Sequence, residues 1–183
     1  QNSARLCSKV KQTLMYDLNI PIPLANPAKE NEPYQYELEQ ILKNVVTSGQ
    51  YILGQQVSLF EKNFSNYCGA KHCVSTASGS DSLSLALKAL GCKENDKIIT
   101  VPNAGYYSTA AIRSIGAIPI YVDICEATMA MSTTDLETIL TNSRDVKCIV
   151  VTHLYGAMFN VDKIAKLAAA HEVLLLEDCS QAH

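Results

Sequence analysis

Three short stretches of this chain carry residue types that do chemistry, and each follows an apolar run of strand length. The first is Ser75-Thr76-Ala77-Ser78-Gly79-Ser80-Asp81-Ser82. Small residues let a backbone approach a ligand closely, and hydroxyls and free N–H groups at a helix start hold a phosphate against the positive dipole end. The same residues also make an ordinary helix cap. The loop has neither the Gly-x-x-x-x-Gly-Lys-Ser/Thr nor the Gly-x-Gly-x-x-Gly pattern, so a phosphate held here belongs to another class of ligand. The second stretch, Val101–Thr109, presents Tyr106 and Tyr107 from a loop shaped by Pro102 and Gly105. An aromatic ring there either stacks on a flat heterocycle or packs over the sheet edge. The third, Glu177-Asp178-Cys179-Ser180-Gln181-Ala182-His183, follows Val173-Leu174-Leu175-Leu176. Asp178 has three readings: a helix cap, a metal-binding acid of Walker B appearance without its Walker A loop, or a carboxylate facing a basic ring nitrogen.

The elements that would position these loops are visible in the apolar pattern. Strand-length runs recur at His72–Ala77, Lys97–Val101, Ile118–Ile124, Cys148–Thr152 and Val173–Leu176. Helical segments lie between most of them, at Asp81–Leu90, Ser108–Ile115, Thr134–Leu140 and Val161–Ala170. Continuous apolar strands alternating with helices predict a five-stranded, mostly parallel sheet covered on both faces, a three-layer α/β/α fold. Ahead of this pattern, helical spacing runs over Tyr34–Val46 and Gln55–Tyr67. Residues 1–20 read as a separate helical piece, an N-terminal extension or the remnant of an upstream segment, ended by Pro21 and Pro23. Ligands of open α/β sheets gather at the carboxyl ends of the strands, where all three loops fall. A phosphate cradle, an aromatic plate and an acid at that one edge match the parts of pyridoxal 5′-phosphate. An acid beside the pyridine nitrogen keeps it protonated, and a protonated pyridine is an electron sink.

Composition narrows the class. The chain has 183 residues, 48% hydrophobic and 18% charged, enough for one domain with a core. A net charge of −3 gives no electrostatic case for nucleic acid or an anionic membrane as partner. No apolar run approaches the ~20 residues of a spanning helix. The seven cysteines are scattered, without a Cys-x-x-Cys pair. They predict free thiols in a reducing, cytoplasmic setting, with no metal site.

From about Pro21 to His183 the sequence resembles the DegT/DnrJ/EryC1/StrS family of sugar aminotransferases. The resemblance rests on Ser48-Gly49-Gln50-Tyr51-Ile52-Leu53-Gly54, Phe60-Glu61-Lys62-Asn63-Phe64 and Ser78-Gly79-Ser80-Asp81-Ser82-Leu83. It continues through Gly116-Ala117-Ile118-Pro119, Val122-Asp123-Ile124, His153-Leu154-Tyr155-Gly156 and the closing Glu177–His183. It implies the N-terminal part of the large domain of a pyridoxal-phosphate transferase fold, over residues 21–183. It also implies site residues. Gly79 and Ser80 would hold the cofactor phosphate, Tyr106 would stack on the ring, and Asp178 would pair with the pyridinium nitrogen. Ser180 would lie against the opposite ring face and Gln181 near the ring hydroxyl. His153 matches a position near the site, and core packing explains it equally.

By the same resemblance the parent enzyme moves an amino group from glutamate or glutamine to a nucleotide-linked keto-deoxysugar, in deoxyaminosugar and polysaccharide biosynthesis. Alternatives are a keto-cyclitol aminotransferase, a sugar dehydratase with His in place of the Schiff-base Lys, or a non-catalytic fragment. The family's Schiff-base Lys follows the motif at Asp178. The lysines from Lys43 to Lys166 do not match its position, and none follows Asp178. The expectation is therefore a truncated, inactive portion of a homodimeric enzyme, whose first strand lacks its sheet neighbour and whose apolar faces are uncovered.

Overall fold

A computed structural model describes residues 23, 25–158 and 160–182. The helix expected over residues 1–20, the break at Pro21, and His183 lie outside the described residues. The chain divides into two units, residues 1–56 and 57–183.

The described part of the first unit is helical. Helix α1 (Pro27–Asn31) starts on Asn26, whose side chain accepts from the Lys29 N–H. One 3-10 turn, Glu32–Tyr34, leads into α2 (Gln35–Ser48). Gly49 ends α2 at φ 67, in the left-handed region that a residue without Cβ adopts cheaply. The predicted apolar stripe, Tyr34, Leu38, Ile41, Leu42 and Val45, is present but largely uncovered: all but the half-buried Val45 are exposed.

The second unit takes in nearly all of α3 (Gln55–Tyr67), where Phe60 and Phe64 stack with ring centroids 5.4 Å apart. A four-stranded sheet follows, built from β1 (Lys97–Thr100), β2 (Ile118–Tyr121), β3 (Val146–Thr152) and β4 (Leu174–Asp178). Its order is β2-β1-β3-β4 and every pairing is parallel. Pro119 sits in β2, an edge strand, where a missing N–H costs least.

Strand alternation divides the core in two. Ile99, Ile149 and Val151 face one cluster, shared with Leu136 and Leu140 of α6 (Thr133–Asn142) and Ile164 and Ala168 of α7 (Val161–Ala170). Ile98, Cys148 and Val150 face the other, shared with Leu83 and Leu87 of α4 (Gly79–Ala89) and Ala111 and Ile112 of α5 (Tyr107–Ser114). Each helix except α5 places its buried pair four residues apart, on one face. A sheet apolar on both sides must be covered on both sides, so the fold is three layers, α/β/α.

The expected fifth strand does not form. Residues 72–77 hold no ladder, and Val74 is 79% exposed. No strand among the described residues lies beside them, and a run of strand-like residues becomes a strand only when a neighbour takes its N–H and C=O groups. One of those groups is met by a side chain instead: the Ser75 N–H donates to Glu61 Oε1 at 2.7 Å.

The cysteines among the described residues are free. Burial pushes the Cys148 thiol up to about 12. Cys125 is exposed, and hydrogen bonds from the Thr128 side chain and the Ala127 backbone hold its thiol below the ordinary value. Because the thiolate is the nucleophile, iodoacetamide at pH 8 should label Cys125 first and leave Cys148 unlabelled until the protein unfolds. Peptide mass mapping over time checks this, and labelling of Cys148 at the pace of Cys125 would contradict the core assigned to it.

Candidate active site

The sheet order fixes where a ligand can sit. From β1 the chain runs by α5 to β2 on one side, and from β3 it runs by α7 to β4 on the other. Neighbouring strands whose connections leave in opposite directions open a crevice beyond their carboxyl ends. A cavity of about 570 Å³ lies there. Its walls come from the start of α4 (Ser78, Gly79, Ser80), the loop after β1 (Asn103, Gly105, Tyr107), the end of β3 (Thr152 to Tyr155) and the turn after β4 (Asp178, Ser180, Gln181).

At the start of α4, Ser78 is the cap. Its Oγ accepts from the Asp81 N–H at 3.2 Å and donates to Asp81 Oδ2 at 2.9 Å. This leaves the amides of Gly79 and Ser80 uncommitted at the positive end of an eleven-residue helix, on the cavity wall. The cap is made by Ser78, and the helix-start amides on the cavity wall belong to the two residues that follow it.

Across the cavity, Asp178 is 7% exposed. Its Oδ1 accepts from the Ser180 N–H at 3.2 Å and the Ser180 hydroxyl at 2.6 Å. Its Oδ2 has no hydrogen-bond partner among the described residues. Asp178 therefore lines the cavity with one carboxylate oxygen committed to Ser180 and the other open to accept a hydrogen bond. Ser180 also faces α4: a Cβ added at Gly79 would stand 3.5 Å from its Oγ. The Gln181 side-chain Oε1 accepts from the Tyr155 N–H at 2.6 Å. With its oxygen committed, the amide has its NH₂ left to donate. Tyr155 holds φ 57, unusual for a residue with a Cβ, and Gly156 approaches the Gln181 carbonyl so closely that a Cβ would stand 3.0 Å from it.

The structure brings Gly79, Ser80, Asp178, Ser180 and Gln181 to one cavity. It does not bring Tyr106, which is off the wall; exposure does not separate the two tyrosines, at 67% for Tyr106 and 62% for Tyr107. Tyr106 sits at φ 68 ahead of α5, and this left-handed step turns the following residue, Tyr107, onto the wall instead. The Tyr107 ring fills the space beside Gly105, where an added Cβ would lie 2.8 Å from it. Sequence reading singled out neither Tyr155 nor Asn103. Tyr155 entered the sequence reading only as part of the motif His153-Leu154-Tyr155-Gly156, with no role of its own.

Behind the cavity, His153 is buried and its Nε2 lies 2.9 Å from Glu177 Oε2. The Cys179 thiol shares that corner, with the three polar atoms within 4.8 Å of one another. Burial, then the nearby Glu177 and Asp178 carboxylates, push the Cys179 thiol up and keep it protonated. The contact in this corner that falls within hydrogen-bond distance is the one between the His153 imidazole and the Glu177 carboxylate.

Comparison with known proteins fits this geometry. Residues 34–183 match the model of the DegT/DnrJ/EryC1/StrS aminotransferase family. The dTDP-3-amino-3,6-dideoxy-alpha-D-galactopyranose transaminase of Aneurinibacillus thermoaerophilus is 36% identical over 162 residues, 88% of this chain and 44% of that protein. The L-glutamine:2-deoxy-scyllo-inosose aminotransferase of Streptomyces lividus is 32% identical over 79% of this chain and 35% of its own length. Among solved structures, S. venezuelae DesV in complex with a ketimine intermediate superposes with a TM-score of 0.85 at 30% identity, over 88% of this chain and 43% of DesV. The chain thus spans less than half the length of each of these relatives.

Gly105 gives the wall a direct test. Gly105→Ala should destabilise by about 1–2 kcal/mol for the left-handed backbone and more for the displaced ring. In a Tyr107→Ala background only the backbone part should remain. A urea-melt double-mutant cycle measures the difference, and strict additivity would remove the Tyr107 ring from its position over Gly105.

Proposed function

The chain belongs to the DegT/DnrJ/EryC1/StrS aminotransferase family, and on that premise we propose that its cavity is the pyridoxal 5′-phosphate site of a sugar aminotransferase. One observation carries the reading: uncommitted helix-start amides and a buried, half-committed carboxylate face each other across a single cavity. The donor set fits the group. Gly79 and Ser80 offer N–H groups and a hydroxyl to the phosphate, as a helix start does for any phosphate. Asp178 Oδ2 accepts from the ring nitrogen and holds its proton there, while Ser180 keeps the carboxylate turned toward it. The Gln181 amide donates to the ring oxygen, oriented by the Tyr155 N–H. Tyr107 covers a ring face and excludes water; Tyr106, the residue named by resemblance, stands outside the wall. When bound, the cofactor supplies an aldehyde that engages amines covalently and a ring that draws off the electron pair released at the substrate carbon.

The substrate we propose is a nucleotide-linked ketosugar, with glutamate or glutamine as amino donor. The dTDP-sugar transaminase at 36% identity supports this, and the deoxy-scyllo-inosose relative at 32% supports a keto-cyclitol as second reading. Activity belongs to the complete polypeptide that supplies the covalent Lys, acting in the cytoplasm as a homodimer. The exposed Tyr51, Ile52 and Leu53 of the 48–54 loop are apolar surface of the kind a second protomer covers. No described helix is long and apolar enough to cross a membrane.

The full-length protein loaded with pyridoxal phosphate should show a visible absorption band that borohydride fixes covalently to the chain. Loading without fixation would favour the dehydratase alternative, and no loading would sink the reading. In that holoenzyme Asp178→Asn should lower kcat about 100-fold or more with a much smaller loss of cofactor affinity, because the proton it holds matters most as charge develops. A second comparison separates the tyrosines. Tyr107→Leu should weaken cofactor binding roughly 2- to 10-fold, the worth of one aromatic contact, and Tyr106→Leu should leave it unchanged. The opposite ranking, read by equilibrium titration, would return the ring contact to Tyr106.

A further inference from the structure

His153 is the one buried imidazole among the described residues, and it takes no part in the proposed ring contacts. Its side chain is 1% exposed, while that of its partner Glu177 is 41% exposed. Glu177 and Asp178 are successive residues of β4, so their side chains leave opposite faces of the sheet. Asp178 faces the cavity, and the Glu177 side chain leaves the other side of β4 to meet His153, a residue that also borders the cavity.

The backbone around this pair is tied twice more. The His153 N–H donates to the Asp178 carbonyl at 3.0 Å, extending the β3–β4 ladder one step past Thr152. The Gly156 N–H then donates to the His153 carbonyl at 3.2 Å, closing the turn that carries Tyr155. Tyr155 in turn holds the Gln181 side chain. One residue thus connects the loop after β3, which carries Tyr155, to the turn after β4, which presents Asp178 and Gln181. Its main chain fixes the ladder end, and its side chain fastens the opposite face.

We infer that His153 and Glu177 form a positioning pair for the cofactor ring: the imidazole N–H to the Glu177 carboxylate locks the loop after β3 to the turn after β4. Without that acceptor a buried imidazole N–H is left unmet, which is costly enough to turn the ring away and loosen both loops. Neither side chain touches the ring. Each acts through the spacing of Asp178, Ser180 and Gln181. The inference rests on the cavity being the pyridoxal-phosphate site.

Glu177 carries the test, because its half-exposed side chain can be changed without opening the core. In the full-length apoprotein titrated with pyridoxal phosphate, Glu177→Ala should raise the dissociation constant about five- to tenfold, the net worth of one ordinary hydrogen bond. Glu177→Gln keeps an acceptor for the imidazole N–H and should return binding to within about twofold of wild type. A Tm loss in Glu177→Ala with unchanged cofactor affinity would overturn the pair and leave His153 a packing residue. Equal weakening in both variants would overturn it in favour of a plain charge effect. A zinc equivalent retained by wild type and lost in Cys179→Ser would make the corner a metal centre instead. A wild-type protein that takes up no pyridoxal phosphate fails the parent reading; normal uptake with unaffected variants fails only the pair.

Discussion

The constraint on which this structure turns is a carboxylate held almost out of water at the end of a parallel strand. Burying a charge is costly unless donors reach it. Asp178 receives two, both from Ser180, and these require the tight turn that follows β4. The turn is placed by the ladder from Cys148↔Leu174 to Thr152↔Asp178. That ladder has its register set by side chains: Leu174 and Leu176 pack toward α4 and α5, and Val173 and Leu175 toward α6 and α7. A slip of one residue would exchange these faces and bring Glu177 into the cavity in place of Asp178. The acid is therefore specified by the apolar residues before it as much as by its own identity.

Much of the second unit was legible from those same apolar residues. Helices α4 to α7 and strands β1 to β4 fall within a few residues of where the periodicity puts them, because burial on two faces leaves an unbroken apolar run and burial on one leaves a stripe. Residues 72–77 mark the limit of that logic. Their composition suits a strand, but a strand also needs a neighbour, and composition carries no information about one. The uncovered stripe of α2 is the same case in a helix: the period was readable and its cover was not.

The site was legible where a residue's chemistry decides its role and illegible where backbone geometry does. Gly79 and Ser80 reach the cavity because they open α4, and Asp178, Ser180 and Gln181 because they close β4 and form the turn after it. Tyr106 and Tyr107 are chemically equivalent neighbours, and only the left-handed φ values of Gly105 and Tyr106 select between them. No hydrophobic pattern encodes that choice. His153 is a third kind of case. Its meaning depends on Glu177, 24 residues away, which is brought to it by strand pairing alone.

The two ends of the cavity together restrict what can occupy it. The α4 end presents amides and a helix dipole worth about +0.5 of a charge, which favours an anion. The far end presents Asp178 with a free acceptor oxygen, which repels an anion and favours a proton-bearing nitrogen. A nucleoside triphosphate or a dicarboxylate placed along this axis would set its second anionic group against Asp178. A phosphate ester of a basic heterocycle satisfies both ends at once, and its ring proton becomes the partner that the buried carboxylate lacks. On the proposed reading, helix-start amides opposite an acid would select the ligand class before any contact to the body of the ligand is considered.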